Sequence, residues 1–145
     1  MRGRVVSRYI VFFDDYPLES ENQIFLFQLR RAFRDSDLEI VDEKTIPRLE
    51  TRLRTRQCAA IILDIMAALP DAPDMDALAG IEVLRRCREG NYGEMNRDAF
   101  VFMRTARAEP HVKQMAVRHQ AAGYFLAGSD DEQLIEALRE RLLES

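Results

Sequence analysis

Residues 5–15 read VVSRYIVFFDD. The run from 5 to 13 is β-branched and aromatic and stops at Asp14 and Asp15. A short, continuous apolar run of this kind suits a strand covered on both faces, as in a parallel sheet. Similar runs recur downstream. Residues 58–63, CAAIIL, end at Asp64, and residues 99–103, AFVFM, end at Arg104 and Thr105. Shorter strands are read at 38–41 and at 123–126.

Helical patterns fill the intervals. In residues 18–33, Phe25, Leu29, Ala32 and Phe33 share one face. Ile24-Phe25-Leu26-Phe27 makes that helix apolar all round, which favours a well-buried helix over a partner-docking patch. Thr45 is a plausible cap and Pro47 fits a first turn. The stretch to Gln57 then sets Leu49 and Leu53 against Arg48, Arg52, Arg54 and Arg56, an apolar side and a solvated one. Gly80 opens a helix with Ile81, Leu84 and Cys87 inward, and Pro110 opens another that runs to about Gln120. The last helix, 130–143, carries Leu134, Ile135, Leu138 and Leu142. Residues 66–79, with Pro70 and Pro73, read as a loop, and 90–97 as a polar linker. This alternation predicts an α/β fold. Its form is a doubly wound, five-stranded parallel sheet flanked by five helices; in the order 2-1-3-4-5, strands one and three are neighbours.

Composition bounds the class. Of 145 residues, 47% are hydrophobic and 32% charged, which supports a core and argues against disorder. The length suits one domain over residues 1–145. With 21 Lys and Arg against 25 Asp and Glu, the charge is −4. Neither a basic nucleic-acid groove nor a polybasic membrane segment is expected. No apolar run approaches the roughly 18 residues of a membrane-spanning helix. The basic start Met1-Arg2-Gly3-Arg4 lacks the longer apolar region of a signal peptide, so the reading is a cytoplasmic protein. Cys58 and Cys87 lie in apolar patterns outside any CxxC pair and read as buried, reduced thiols.

In open parallel sheets, chemistry gathers outside the carboxyl ends of the strands near a topological switch point. Here those ends carry Asp14, Asp15, Asp64 and Thr105. Any one of them would serve as a helix cap or a solvated loop residue; their conjunction points to a site. Three carboxylates held together repel, and a hard divalent cation such as Mg²⁺ resolves the repulsion. Asp64 could then act as a nucleophile that forms an acyl phosphate, with Thr105 hydrogen-bonding a phosphoryl oxygen.

Taken together, YIVFFDDYP, AAIILDIMA, GIEVLRRCRE, VFMRTAR and AAGYFLAG resemble the receiver domain of two-component response regulators, over nearly the whole chain. The resemblance implies a flavodoxin-like fold of the receiver type. It implies that Asp14, Asp15, Asp64 and the backbone carbonyl of Met66 hold Mg²⁺. Asp64 would be the phosphoacceptor, served by a histidine kinase or phosphotransfer protein. Thr105 would follow the phosphoryl group inward, and Tyr124 would be the switch aromatic. The implied role is a phosphoprotein signal receiver, not a turnover enzyme. Its downstream partner would be a protein or an output domain, with no direct nucleic-acid or membrane binding, and a homodimer is compatible with it.

Two departures stand out. Receivers usually place a lysine after the fifth strand, in a pattern like YLxKP, where this chain has Ala127. A charge-assisted hydrogen bond of that kind contributes about 1.5–3 kcal/mol. Its loss should weaken phosphoryl binding or uncouple it from the switch; Arg104, Arg107 and Lys113 are nearby substitutes. Asp64 to Gly80 spans sixteen positions, longer than the family's short link, and includes Asp71, Asp74 and Asp76. That insertion is expected to be mobile or to form a cover beside Asp64. A degenerate receiver, serving as a phosphorylation-independent interaction module, is the alternative function. A metal-dependent phosphohydrolase or nuclease ranks below both, since DDYPL stands where dehalogenase-like enzymes want DxDxT and no glycine-rich phosphate loop occurs.

Overall fold

The computed structural model describes residues 8–14, 20–64, 79–105 and 110–143. Five strands alternate with helices: β1 (Arg8–Phe13), α1 (Ser20–Ala32), β2 (Leu38–Glu43), α2 (Ile46–Thr55), β3 (Ala60–Asp64), α3 (Ala79–Arg88), α4 (Glu94–Arg97), β4 (Phe100–Thr105), α5 (Pro110–Arg118), β5 (Gly123–Leu126) and α6 (Asp131–Leu142). The sheet order is β2-β1-β3-β4-β5, as expected, and every pairing is parallel.

Side-chain alternation sorts the core into two layers. Val11, Phe13, Ile61, Leu63, Val101 and Met103 pack with residues of α2, α3 and α5. Ile10, Phe12, Ala60, Ile62 and Phe102 face the other way, onto Phe25, Leu29 and Phe33 and onto Leu134, Leu138 and Leu142 of α6. The apolar continuity of the strands follows from this double cover. Gly123 opens β5 where a Cβ would stand 2.5 Å from the ring of Phe125. A larger residue there would have to displace that ring.

The expected cap of α2 is present: Thr45 Oγ1 accepts from the Arg48 amide at 3.3 Å, with Pro47 in the first turn. Two readings change. Among the described residues the helices number six, because residues 94–97 of the expected linker form the single turn α4. So short an element has no periodicity to read, and tertiary bonds hold it. The wholly buried Asn96 donates to the carbonyls of Leu53 at 2.6 Å and Arg56 at 2.8 Å, and accepts from the Cys58 amide at 2.8 Å. Nearby, Tyr92 donates to Glu50, which also pairs with Arg86. The second change is in α1, which is not buried all round. Phe25 and Leu29 are core residues, whereas Ile24 is 57% and Phe27 65% exposed.

Both cysteines are buried and unbridged. Cys87 Sγ donates to the Asn96 carbonyl at 2.9 Å. Burial pushes both thiols up, Cys58 to about 12.

Candidate functional site

Parallel register brings the ends of β1, β3 and β4 to one edge of the sheet. Asp14 follows the last residue of β1, and its amide donates to the Glu43 carbonyl at 2.9 Å, extending the pairing with β2 by one bond. Asp64 closes β3 opposite Arg104. Thr105 closes β4, and its carbonyl accepts from the Ala127 amide at 2.7 Å, which ties the loop after β5 to this edge. Asp14 and Thr105 are both buried. Tyr124 pairs with Met103 and packs, partly buried, against the core layer under α2, α3 and α5. Asp15, Met66, Arg107 and the insertion over 65–78 lie outside the described residues. Among the described residues, no three His, Cys, Asp or Glu side chains cluster as metal ligands would.

Arg104 continues the alternation of β4 past Phe102, so it faces the α1 and α6 side of the sheet. A guanidinium on a buried strand must be paired or displaced. Its side chain is 3% exposed, and the pairing is bidentate: Nε donates to Asp131 Oδ1 at 2.9 Å and Nη2 to Oδ2 at 3.2 Å. Asp131 is the first residue of α6, and its side chain is 9% exposed. The third arm of the fork, Nη1, donates to Asn22 Oδ1 at 2.6 Å. The other end of that amide, Nδ2, donates to Asp14 Oδ1 at 2.9 Å. The guanidinium also stacks 4.4 Å from the ring centroid of Phe25 and 5.7 Å from that of Phe12. A continuous buried chain therefore runs from Asp14 through the first turn of α1 and across β4 to the first turn of α6.

This arrangement bears on the missing lysine. Of the three basic residues expected near the site, Arg104 is engaged by Asp131 and Asn22, and Lys113 is exposed on α5. Asn22 and Asp131 escaped the sequence reading. The signal that could have found them is Arg104 itself, a charge inside FVFMRT that has to have a buried partner.

No family model matches the chain, and no curated protein matches it either. Solved structures do. A response regulator from Thermotoga maritima superposes with a TM-score of 0.68 at 16% identity, over 94% of this chain and 98% of that one. The signal receiver domain of an HD domain-containing protein from Pseudomonas fluorescens gives 0.69 at 17% identity, covering 94% of each. A Burkholderia pseudomallei response regulator that holds a phosphorylated aspartic acid, a calcium ion and citrate gives 0.61 at 15% identity, over 91% of this chain and 66% of that one. From the strand order, the two helix layers and these overlaps, the chain has the fold of a response regulator receiver domain.

Proposed function

We propose that this chain is a signal-transduction receiver domain that accepts a phosphoryl group on Asp64 from a histidine kinase or phosphotransfer protein and thereby changes its binding to a downstream partner. The observation that carries the reading is the meeting of three adjacent strand ends, with Asp14, Asp64 and Thr105 as their last or next residue. A carboxylate oxygen of Asp64 would attack the phosphorus of a phosphohistidine. The new O–P bond forms as the P–N bond breaks, and the imidazole leaves with the electron pair and takes up a proton. Thr105 would hydrogen-bond a phosphoryl oxygen, and Tyr124 would respond on the same edge.

Mg²⁺ fits the donor chemistry. Asp14 offers a hard carboxylate at the strand end, buried and oriented by the Asn22 amide. Asp15, Asp64 and the Met66 carbonyl would complete the set. When bound, the ion would offset the charge of an incoming phosphoryl group. The Burkholderia relative, with its phosphorylated aspartate and calcium ion, supports both halves of the reading. A soluble, cytoplasmic setting belongs to the same proposal; among the described residues no helix is long and apolar enough to cross a membrane.

The test is intact-mass spectrometry after incubation with acetyl phosphate and Mg²⁺. One phosphoryl increment on the wild type and none on Asp64→Ala is the expected result. No increment on the wild type, or an equal one on Asp64→Ala, overturns it. Ala127 favours a second reading, a degenerate receiver that binds partners without phosphorylation. Ala127→Lys should then strengthen the chemical-shift response of Thr105 and Tyr124 to beryllofluoride. A full, saturating response in the wild type that Ala127→Lys does not increase would remove this second reading.

A further inference from the structure

Behind Asp14 stands a buried arrangement that the receiver reading does not need. Asn22 belongs to the first turn of α1, Arg104 to β4 and Asp131 to the first turn of α6. We propose that Arg104 is a positioning residue for a divalent cation at Asp14: it holds Asn22, Asn22 holds the Asp14 carboxylate, and the same guanidinium ties both to the first residue of α6. The inference rests on the Mg²⁺ reading of Asp14 given above.

The geometry makes each link directional. An amide has an acceptor end and a donor end. With Oδ1 of Asn22 taken by the Arg104 guanidinium at 2.6 Å, only Nδ2 can face Asp14, which it reaches at 2.9 Å. Arg104 in turn cannot rotate away, because its other two arms are held by both oxygens of Asp131 and its plane lies over Phe25. The chemistry also suits a metal ligand. The charge of Arg104 is matched by Asp131, and the Asn22 amide that it sets against Asp14 is neutral. Orienting Asp14 through Asn22 therefore does not by itself cancel the carboxylate charge that a cation needs. Groups that orient a metal ligand from behind in this way set both its rotamer and its basicity.

The arrangement also joins two places. A cation that pulls on Asp14 pulls on Asn22 and Arg104, and through Asp131 on the start of α6. The loop before α6 is bonded to the same edge by Ala127, whose amide meets the Thr105 carbonyl. Seating of the α6 terminus and occupancy at Asp14 thus become one equilibrium, shifted by whatever binds the two states unequally.

The test is a titration of the full chain with Mg²⁺ alone, followed by NMR. In the wild type, the Asp14 amide, the Asn22 side-chain NH₂, the Arg104 Nε–H and the Asp131 amide should move along one saturation curve. In Asn22→Ala, Mg²⁺ affinity should fall roughly 10–100-fold, the usual loss when such an orienting group is removed. The Asp131 amide should stop responding. A purely structural role for the arrangement would leave both readouts unmoved in a folded variant. If Asn22→Ala does not fold, the wild-type side-chain curves decide alone. Asn22 and Arg104 resonances that stand still while Asp14 saturates overturn the inference and leave the Mg²⁺ reading intact. So does wild-type affinity in Asn22→Ala. A wild type in which nothing responds to Mg²⁺ overturns both.

Discussion

Asn96 and Arg104 are both buried polar residues within the sheet's reach, one at each end of it, and they are stabilised by opposite rules. Asn96 lies where β3 and β4 begin. It is neutral, and its side chain bonds backbone groups of the α2 terminus and the β3 approach. Arg104 lies where β4 ends. It is charged, and its partners are side chains contributed by two helices. A neutral amide matched to backbone groups is satisfied once the chain has its path, and little outside can alter it. A buried ion pair stays dependent on both members, because removal of one leaves the other charged and desolvated. The first arrangement suits a fixed strut. The second suits a place where occupancy of a nearby site has to be felt.

The comparison breaks most visibly at the ionic end. Arg104→Ala should lower unfolding free energy by about 3–5 kcal/mol, since it strands Asp131. Arg104→Leu combined with Asp131→Leu should cost less than either single substitution. Urea denaturation of the three variants checks this; additive losses would show that the pair is not coupled. At the neutral end, Asn96→Ala leaves the Cys58 amide and the Leu53 and Arg56 carbonyls without this partner. A loss of about 2–3 kcal/mol is expected, in line with the desolvation cost of unsatisfied buried groups. A loss that disappears on raising salt would contradict a neutral strut.

The strut also predicts a pH dependence. Burial, and after it the neighbouring Cys87, hold the Cys58 thiol up at about 12, above the roughly 8.5 of an unfolded cysteine. The folded chain keeps the thiol protonated where the unfolded chain would ionise it. That contribution is complete below about pH 8.5 and is lost as the pH climbs toward 12. Urea midpoints should therefore fall between pH 8 and 10 more steeply in the wild type than in Cys58→Val. Equal slopes would assign the decline to other groups. The smallest effect is expected on α1, one turn beyond Asn22. Phe27 is largely exposed, so Phe27→Ser should change stability by no more than about 0.5 kcal/mol. A large loss in thermal melts would mean that Phe27 is covered in solution.

Much of this was legible in the chain. The largely apolar runs at 5–13, 58–63 and 99–103 suited strands covered on both sides, and the intervals between successive strands carried helical patterns. Thr45 and Pro47 announced α2 because capping is local chemistry. The shared face of Phe25, Leu29 and Phe33 was legible, but the exposure of Ile24 and Phe27 was not, since it depends on whether anything packs on the other side of the helix. Nor was α4, whose single turn owes its existence to Asn96 and its distant partners.

The sequence by itself determined the alternation of strands and helices and the acidic and hydroxyl residues that end the strands. All of these follow from period, propensity and the position of a residue relative to its own neighbours. Only the tertiary structure decided the fate of Arg104. Asn22 and Asp131 stand 82 and 27 positions from it. No local rule connects residues so far apart. Their meeting is fixed by the side of the sheet to which β4 turns its even-numbered residues and by the packing of α1 and α6 on that same side, which bring two residues from the first turns of those helices within hydrogen-bonding reach of one guanidinium.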